Sequence, residues 1–572
     1  MAKRPVIIEL SRTKQLESEA LNAMTTNKTN LASAAVPRIE GLEYDENFPV
    51  VAMPKLIEHE YPESELYDST ANLDFDDSLE TSTFLVRGTV EENTISQVEA
   101  AAQKSKSPVK IYADRELQPM IVCPGSPAVG TDTDVENLLC VKKMHRNRMN
   151  GSGVLVAIVD TGVNMTYLNS QGKTPTFDAS RSWAWDPASV TPGSAPVDHG
   201  TMVAFDVCIS APDCTILDIA LLHPFVPTPT GFGAFLSDAI RAYRHLLSVM
   251  NAPRRPGEHR SLVVNNSWGM FHSSWDFPVG HPGNYSDNLN HPFSRIVATL
   301  ERAGADILFA AGNCGADCPD GRCQGVTTKT IWGANSHPAV TCVAGVDTTK
   351  ARVGYSAIGP GRLEKRKPDI SGYTHFAGSG VYTADGGTSA ACPVVSGVMA
   401  AMRTRRPYNA SDSQTSPAAL RNILTQTAED LGPAGYDFQH GHGVVNGCKI
   451  VDKIVPPVID ICERYPWICS HLELCRRYPW LCRWDLIRDL GSPLGTSSNP
   501  SSSTLESDIA IWGQEIQQRP DVRELLSCVM PESLEQDLTL DQLAFLKGYL
   551  VGKENSRVDE QPQTHPCKCT GA

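Results

Sequence analysis

Residues Val154-Leu155-Val156-Ala157-Ile158-Val159 are consecutive apolar positions, most of them β-branched. A run this short and this uniformly apolar reads as a strand buried on both faces, and such strands belong to parallel sheets covered by helices on each side. Ile216-Leu217-Asp218-Ile219-Ala220-Leu221 and Asp306-Ile307-Leu308-Phe309-Ala310-Ala311 repeat the pattern, with helix-forming stretches between them. Alternation of this kind predicts an α/β domain with a mainly parallel sheet. At 572 residues and 41% apolar content the chain is too long for one ordinary domain and apolar enough for a large core, so two or three domains are expected. Its net charge of −15 argues against a general affinity for nucleic acid or anionic membrane. No stretch approaches the roughly 18 apolar residues of a membrane span.

The ends of these runs carry chemistry. The first strand runs into Asp160-Thr161-Gly162, which sets a carboxylate at the functional edge of a parallel sheet. His199 opens a small-residue helix in Asp198-His199-Gly200-Thr201-Met202-Val203-Ala204. The Asp306 strand runs into Gly312-Asn313, whose amide is a candidate oxyanion donor. Gly387-Thr388-Ser389-Ala390-Ala391-Cys392-Pro393 leads into the small apolar run Val394 to Met402, so Ser389 falls at a helix start, with Pro393 expected in the first turn. Orphan N–H groups and the macrodipole there favour developing negative charge. Singly, these residues read as a turn Asp, a core His, a turn Asn and a capping Ser. Together they supply an orienting acid, a base, an oxyanion donor and a nucleophile.

The order Asp160, His199, Ser389, with the motifs around each and Ala310-Ala311-Gly312-Asn313 as a fourth, resembles the subtilisin-like serine proteases, the subtilases, over residues 135–454. The resemblance implies a three-layer fold and peptide-bond hydrolysis through an acyl-enzyme, with polypeptides as substrates. His199 would be the base, Asp160 its orienting partner, and Asn313 with the Ser389 N–H the oxyanion hole. It also implies that Ser267, Trp268 and Gly269 pair with the substrate backbone and wall the first specificity pocket. The Ser-Trp-Gly form occurs in proprotein convertases too, but their Pro and paired Asp residues are missing after Gly269, and Asp276 is a weak candidate for an acidic pocket. No cofactor is implied. The segment Ser210-Ala211-Pro212-Asp213-Cys214-Thr215 is too short for the loop that holds structural calcium in many secreted subtilases, and no other metal loop stands out.

The flanks are read separately. Residues 1–80 are expected to be an acidic, poorly ordered region, strongly so from about residue 32. Residues 81–125 read as a β-α-β unit, Thr83 to Val90, Glu91 to Lys104 and Val109 to Asp114, resembling the inhibitor-like propeptide of subtilases. The unit reads either as a segment that is cut off, with the cut then expected within Val122 to Thr133, or as a permanent N-terminal domain. Met1 to Leu31 develops no apolar core, so no secretory signal is visible and a cytoplasmic location is favoured. On that ground the 17 cysteines are expected reduced, with Cys314, Cys318 and Cys323 forming a free-thiol loop and Cys392 packing in the core. In residues 455–490, Cys462-Glu463-Arg464-Tyr465-Pro466-Trp467-Ile468-Cys469 returns as Cys475-Arg476-Arg477-Tyr478-Pro479-Trp480-Leu481-Cys482. The doubled octet reads as an apolar strap along the catalytic domain, as two small hairpins clipped by disulfides, or as a candidate site for a protein partner. Residues 491–503 read as a linker and 504–572 as a helical appendage and tail. A catalytically silent or self-processing-only protein that binds peptides or acts as a scaffold through these repeats stands as the alternative.

Overall fold

The computed structural model describes residues 3–26, 35–54, 81–105, 109–121, 126–224 and 230–455. The Leu155–Asp160 strand lies inside an eight-stranded sheet, parallel to Thr215–Ala220 on one side and Leu262–Asn266 on the other. Ala305–Ala310, Thr341–Val346 and Ile370–Tyr373 extend the sheet in the same sense. Side chains of the Leu155–Asp160 strand alternate between two cores, as period-two geometry requires. Leu155, Ala157 and Val159 pack with the helices Leu236–Asn251 and Pro292–Arg302, whereas Val156 and Ile158 pack with His199–Val207 and Gly387–Arg405. The result is a three-layer α/β domain, with Asp160, Asn266 and the turn after Ala310 at the C-terminal edge of the sheet.

A second, five-stranded antiparallel sheet lies N-terminal to this domain in sequence, and it corrects the expectation for residues 1–80. Lys3–Ser11 is a strand, and both Thr81–Glu91 and Val109–Ala113 pair with it rather than with each other. Val6, Ile8 and Leu10 enter a local core with Val98 and Ala102 of the helix Ile95–Gln103, while Ile7 faces the helices of the larger domain. The helix Lys14–Thr26 and the strands Leu42–Tyr44 and Val51–Pro54 are ordered as well. The sheet is fastened to the larger domain by polar contacts. Asp114 accepts hydrogen bonds from Ser237 N (2.9 Å) and Ser237 Oγ (2.7 Å) at the start of the Leu236–Asn251 helix, and Glu9 pairs with Arg295 at 2.9 Å. The most acidic stretch, residues 55–80, lies outside the described residues.

Cysteine pairing also departs from expectation. Cys140 bonds Cys448 and ties the lead-in helices to the helix Gly447–Ile454. Cys314 bonds Cys323, which closes the loop expected to carry free thiols, with Cys318 on its exposed side. Cys392 is buried in the core. The doubled octet, the linker and the C-terminal appendage lie outside the described residues, and among the described residues no helix is long and apolar enough to cross a membrane.

Candidate active site

Asp160 ends its strand with its side chain fully buried, and its Oδ1 lies 2.7 Å from His199 Nδ1. Small residues make that approach feasible: a side chain on Gly200 would collide with the backbone of Gly162, and Gly200 N donates to Thr161 Oγ1 at 2.9 Å. Asp198 opens the helix by accepting from His199 N at 2.8 Å. The imidazole therefore presents Nε2 away from the carboxylate, buried and without a hydrogen-bond partner among the described residues. Asp160 Oδ1 also accepts from Thr161 N at 2.7 Å, which fixes the carboxylate before the histidine arrives.

Ser389 is the third residue of the helix Gly387–Arg405, where the backbone N–H groups have no intrahelical acceptors. Pro393 lies further in than the first turn expected of it, and the reason is local. A proline removes the hydrogen bond to the carbonyl four residues earlier, here that of Ser389. That carbonyl is taken by Ser267 Oγ at 2.9 Å, so the strand end at Ser267 is latched to the nucleophile turn. Asn265 Nδ2 supports the latch by donating to Ser267 Oγ at 3.0 Å. The Ser389 hydroxyl itself donates to Ser267 O at 3.3 Å and is not hydrogen-bonded to His199. Hydrogen bonds of this kind are often unformed before a reaction begins.

Asn313 is oriented by Thr388, whose N and Oγ1 donate to Asn313 Oδ1 at 2.9 and 3.0 Å. With its oxygen so committed, the amide turns Nδ2 outward, and there it donates to the carbonyl oxygen of Met120. A Cβ on Gly387, whose φ is +74°, would strike that same oxygen. The space that an oxyanion would occupy thus holds a backbone carbonyl of this same chain.

The segment around Met120 lies in the cleft as a strand. Glu116–Pro119 pairs antiparallel with Trp268–Gly269 on one side and with Phe232–Phe235 on the other. Met120 N continues the ladder to Ser267 O at 3.0 Å. Met120's side chain enters a pocket walled by Gly269 and Asn335, where a Cβ on Gly269 would lie 2.6 Å from Met120 Cε. Ser267 and Gly269 contribute backbone to this cleft. Trp268 contributes backbone alone, because its ring is core and its Nε1 donates to Val159 O at 2.9 Å. Asp276 is not part of the pocket: its carboxylate is buried and accepts from the N–H groups of Phe277, Tyr285 and Ser286. Met120, the Phe232–Phe235 edge, Thr388 and Asn335 escaped the sequence reading. Of these, only the Gly231-Phe232-Gly233 stretch hinted at a backbone-lined edge.

A family model described as the subtilase family matches residues 151–443. Subtilisin DY of Bacillus licheniformis is 31% identical over 311 residues, covering 54% of this chain and 94% of that protein. Subtilisin NAT of Bacillus subtilis subsp. natto is 22% identical over 303 residues, covering 53% of this chain and 67% of that protein. Fervidolysin of Fervidobacterium pennivorans is 25% identical over 328 residues, covering 52% and 40% respectively.

Proposed function

Because this chain belongs to the subtilase family and is a serine endopeptidase, we propose that Asp160, His199 and Ser389 are its triad and that it first cuts its own Met120–Ile121 bond. The observation that carries the reading is the Met120 carbonyl oxygen on the Asn313 amide, beside Gly387 at the start of the Ser389 helix. In the reaction His199 Nε2 takes the proton of Ser389 Oγ as that oxygen attacks the Met120 carbonyl carbon. The oxyanion gains the Asn313 Nδ2 donor and the Ser389 N–H, and Asp160 keeps Nδ1 protonated and steadies the imidazolium. His199 then returns the proton to the leaving nitrogen of Ile121, the Met120–Ile121 bond breaks, and an ester joins Met120 to Ser389. Water, deprotonated by the same histidine, releases Met120 as a carboxylate.

This places the cut just before the region expected from composition. The reason is that residues 126–132 serve the larger domain: Val129 N donates to His375 O at 2.7 Å, and Asp132 N to Ala377 O at 2.9 Å. After the cut the same cleft accepts other polypeptides, with an unbranched apolar residue before the scissile bond favoured by the pocket that Met120 fills. Processed wild-type protein is expected to take one fluorophosphonate adduct, on Ser389, and the Ser389→Ala protein none. A labelled Ser389→Ala protein, or processed wild type that takes no adduct, would overturn the assignment.

A further inference from the structure

Arg322 is buried on the loop closed by Cys314–Cys323, and all of its donors are engaged. Its Nε donates to Asp320 Oδ1 at 3.0 Å and its Nη2 to Asp320 Oδ2 at 2.8 Å, a bidentate pair that balances the charge and fixes the fork. The remaining donors all go to the cleft segment. Nη1 donates to Gln118 Oε1 at 3.1 Å and to Pro119 O at 2.9 Å, and Nη2 donates to Ile121 O at 2.8 Å. A guanidinium has five N–H groups, so the count closes with none spare. Its flat face lies 3.6 Å from the ring centroid of Phe271, which prevents the group from swinging away. The loop is joined to the oxyanion residue, since Asp320 N donates to Asn313 O at 2.9 Å.

These contacts straddle the bond proposed to be cut. Pro119 and Ile121 lie on either side of Met120, so one rigid fork holds the chain before and after the reacting carbonyl, as positioning for attack requires. The third contact is to a side chain. Gln118 is the third residue before the bond, and what Arg322 takes from it is a carbonyl oxygen. With no acceptor there, a buried charged donor is left without a partner, a penalty large enough to discriminate between substrates.

We propose that Arg322 is a specificity-determining residue, clamping the substrate backbone across the scissile bond and selecting Gln three residues before it, whose amide oxygen accepts from Arg322 and whose amide nitrogen donates to Glu116 Oε1. The proposal rests on the reading that the cleft cuts Met120–Ile121, and its test separates the two. The rate of that cut is followed by intact mass in the full chain carrying Gln118 or Gln118→Leu, each with Arg322 and with Arg322→Met. With Arg322, Leu is expected to be cut about tenfold more slowly than Gln or worse. With Arg322→Met both slow down and the difference between Gln and Leu vanishes, which a merely structural role for Arg322 would not produce. Cutting of Gln118→Leu at the wild-type rate, or a Leu penalty that persists in Arg322→Met, overturns the proposal.

If the wild-type chain is not cut at all, the self-processing reading fails and the clamp is judged by hydrogen exchange in full-length Ser389→Ala protein. Gln118→Leu and Arg322→Met are then expected to speed exchange at the Met120 amide with the Leu155–Asp160 amides unchanged. Unchanged Met120 exchange overturns the clamp. Gln118→Leu, which leaves the loop intact, decides the matter should Arg322→Met loosen the sheet as well.

Discussion

Asn313 and Ser267 show how single side chains set the geometry of this cleft. Both donors on Thr388 are spent on Asn313 Oδ1, so the amide nitrogen has one direction left, toward the Met120 carbonyl. Asn313→Ala is expected to lower turnover by about 10² to 10³, the scale known for the matching loss in subtilisin, in protein that still folds. Near-normal turnover in that variant would remove Asn313 from the oxyanion hole. Ser267 acts on stability, because Pro393 leaves the Ser389 carbonyl without its helical donor and Ser267 Oγ supplies one. Ser267→Ala should cost roughly 1–3 kcal/mol, read in denaturant unfolding, since a buried carbonyl then loses its only replacement donor. The places of Asp160, His199 and Ser389 were legible in the sequence, because Asp160 ends an apolar strand run and His199 and Ser389 open small-residue helices. Thr388, Arg322 and Asn335 were not, because what they do depends on partners tens to hundreds of residues away.

At the scale of elements, the N-terminal sheet is attached to the larger domain partly through one buried carboxylate. Asp114 caps the Leu236–Asn251 helix through Ser237, and burial pushes its pKa up from 3.8 to about 6, with Arg87 and the Ser237 hydrogen bonds pulling the other way. The docked form therefore holds a proton that the released form gives up. Docking is strongest below about pH 4 and weakens as pH rises toward 6, by roughly 1–3 kcal/mol. Exchange of the Lys3–Ser11 amides in full-length Ser389→Ala protein should quicken over that window, and Asp114→Asn should flatten the dependence. An unchanged slope in Asp114→Asn would assign it to other groups. The strand Lys3–Ser11 is one of the elements that the sequence reading missed. Val6-Ile7-Ile8-Glu9-Leu10 is apolar enough for a strand, but charged flanks and the acidic stretch that follows mask it, and its partners are as distant as residues 83–91 and 109–113. The catalytic-domain strands carry no such ambiguity, because continuous β-branched runs have few alternatives to a buried parallel sheet.

Across the described residues as a whole, the chain runs from the N-terminal sheet at Ala113 through the cleft strand to Met120, so it presents its own backbone carbonyl to Asn313. The Cys314–Cys323 loop holds the far side of that path, and reduction is expected to slow cutting at Met120–Ile121 by loosening Arg322, with the sheet still folded by near-ultraviolet circular dichroism. An unaltered rate in the fully reduced protein would make the disulfide irrelevant to the cleft. Cysteine pairing was illegible in the sequence because it depends on separations in space, 308 residues apart along the chain for Cys140 and Cys448. The most direct test of the account is a time course of intact mass for purified wild-type and Ser389→Ala protein. Wild type should resolve into pieces spanning residues 1–120 and 121–572 while Ser389→Ala stays whole. A wild-type chain that stays whole, or equal cutting of both proteins at that bond, would contradict it.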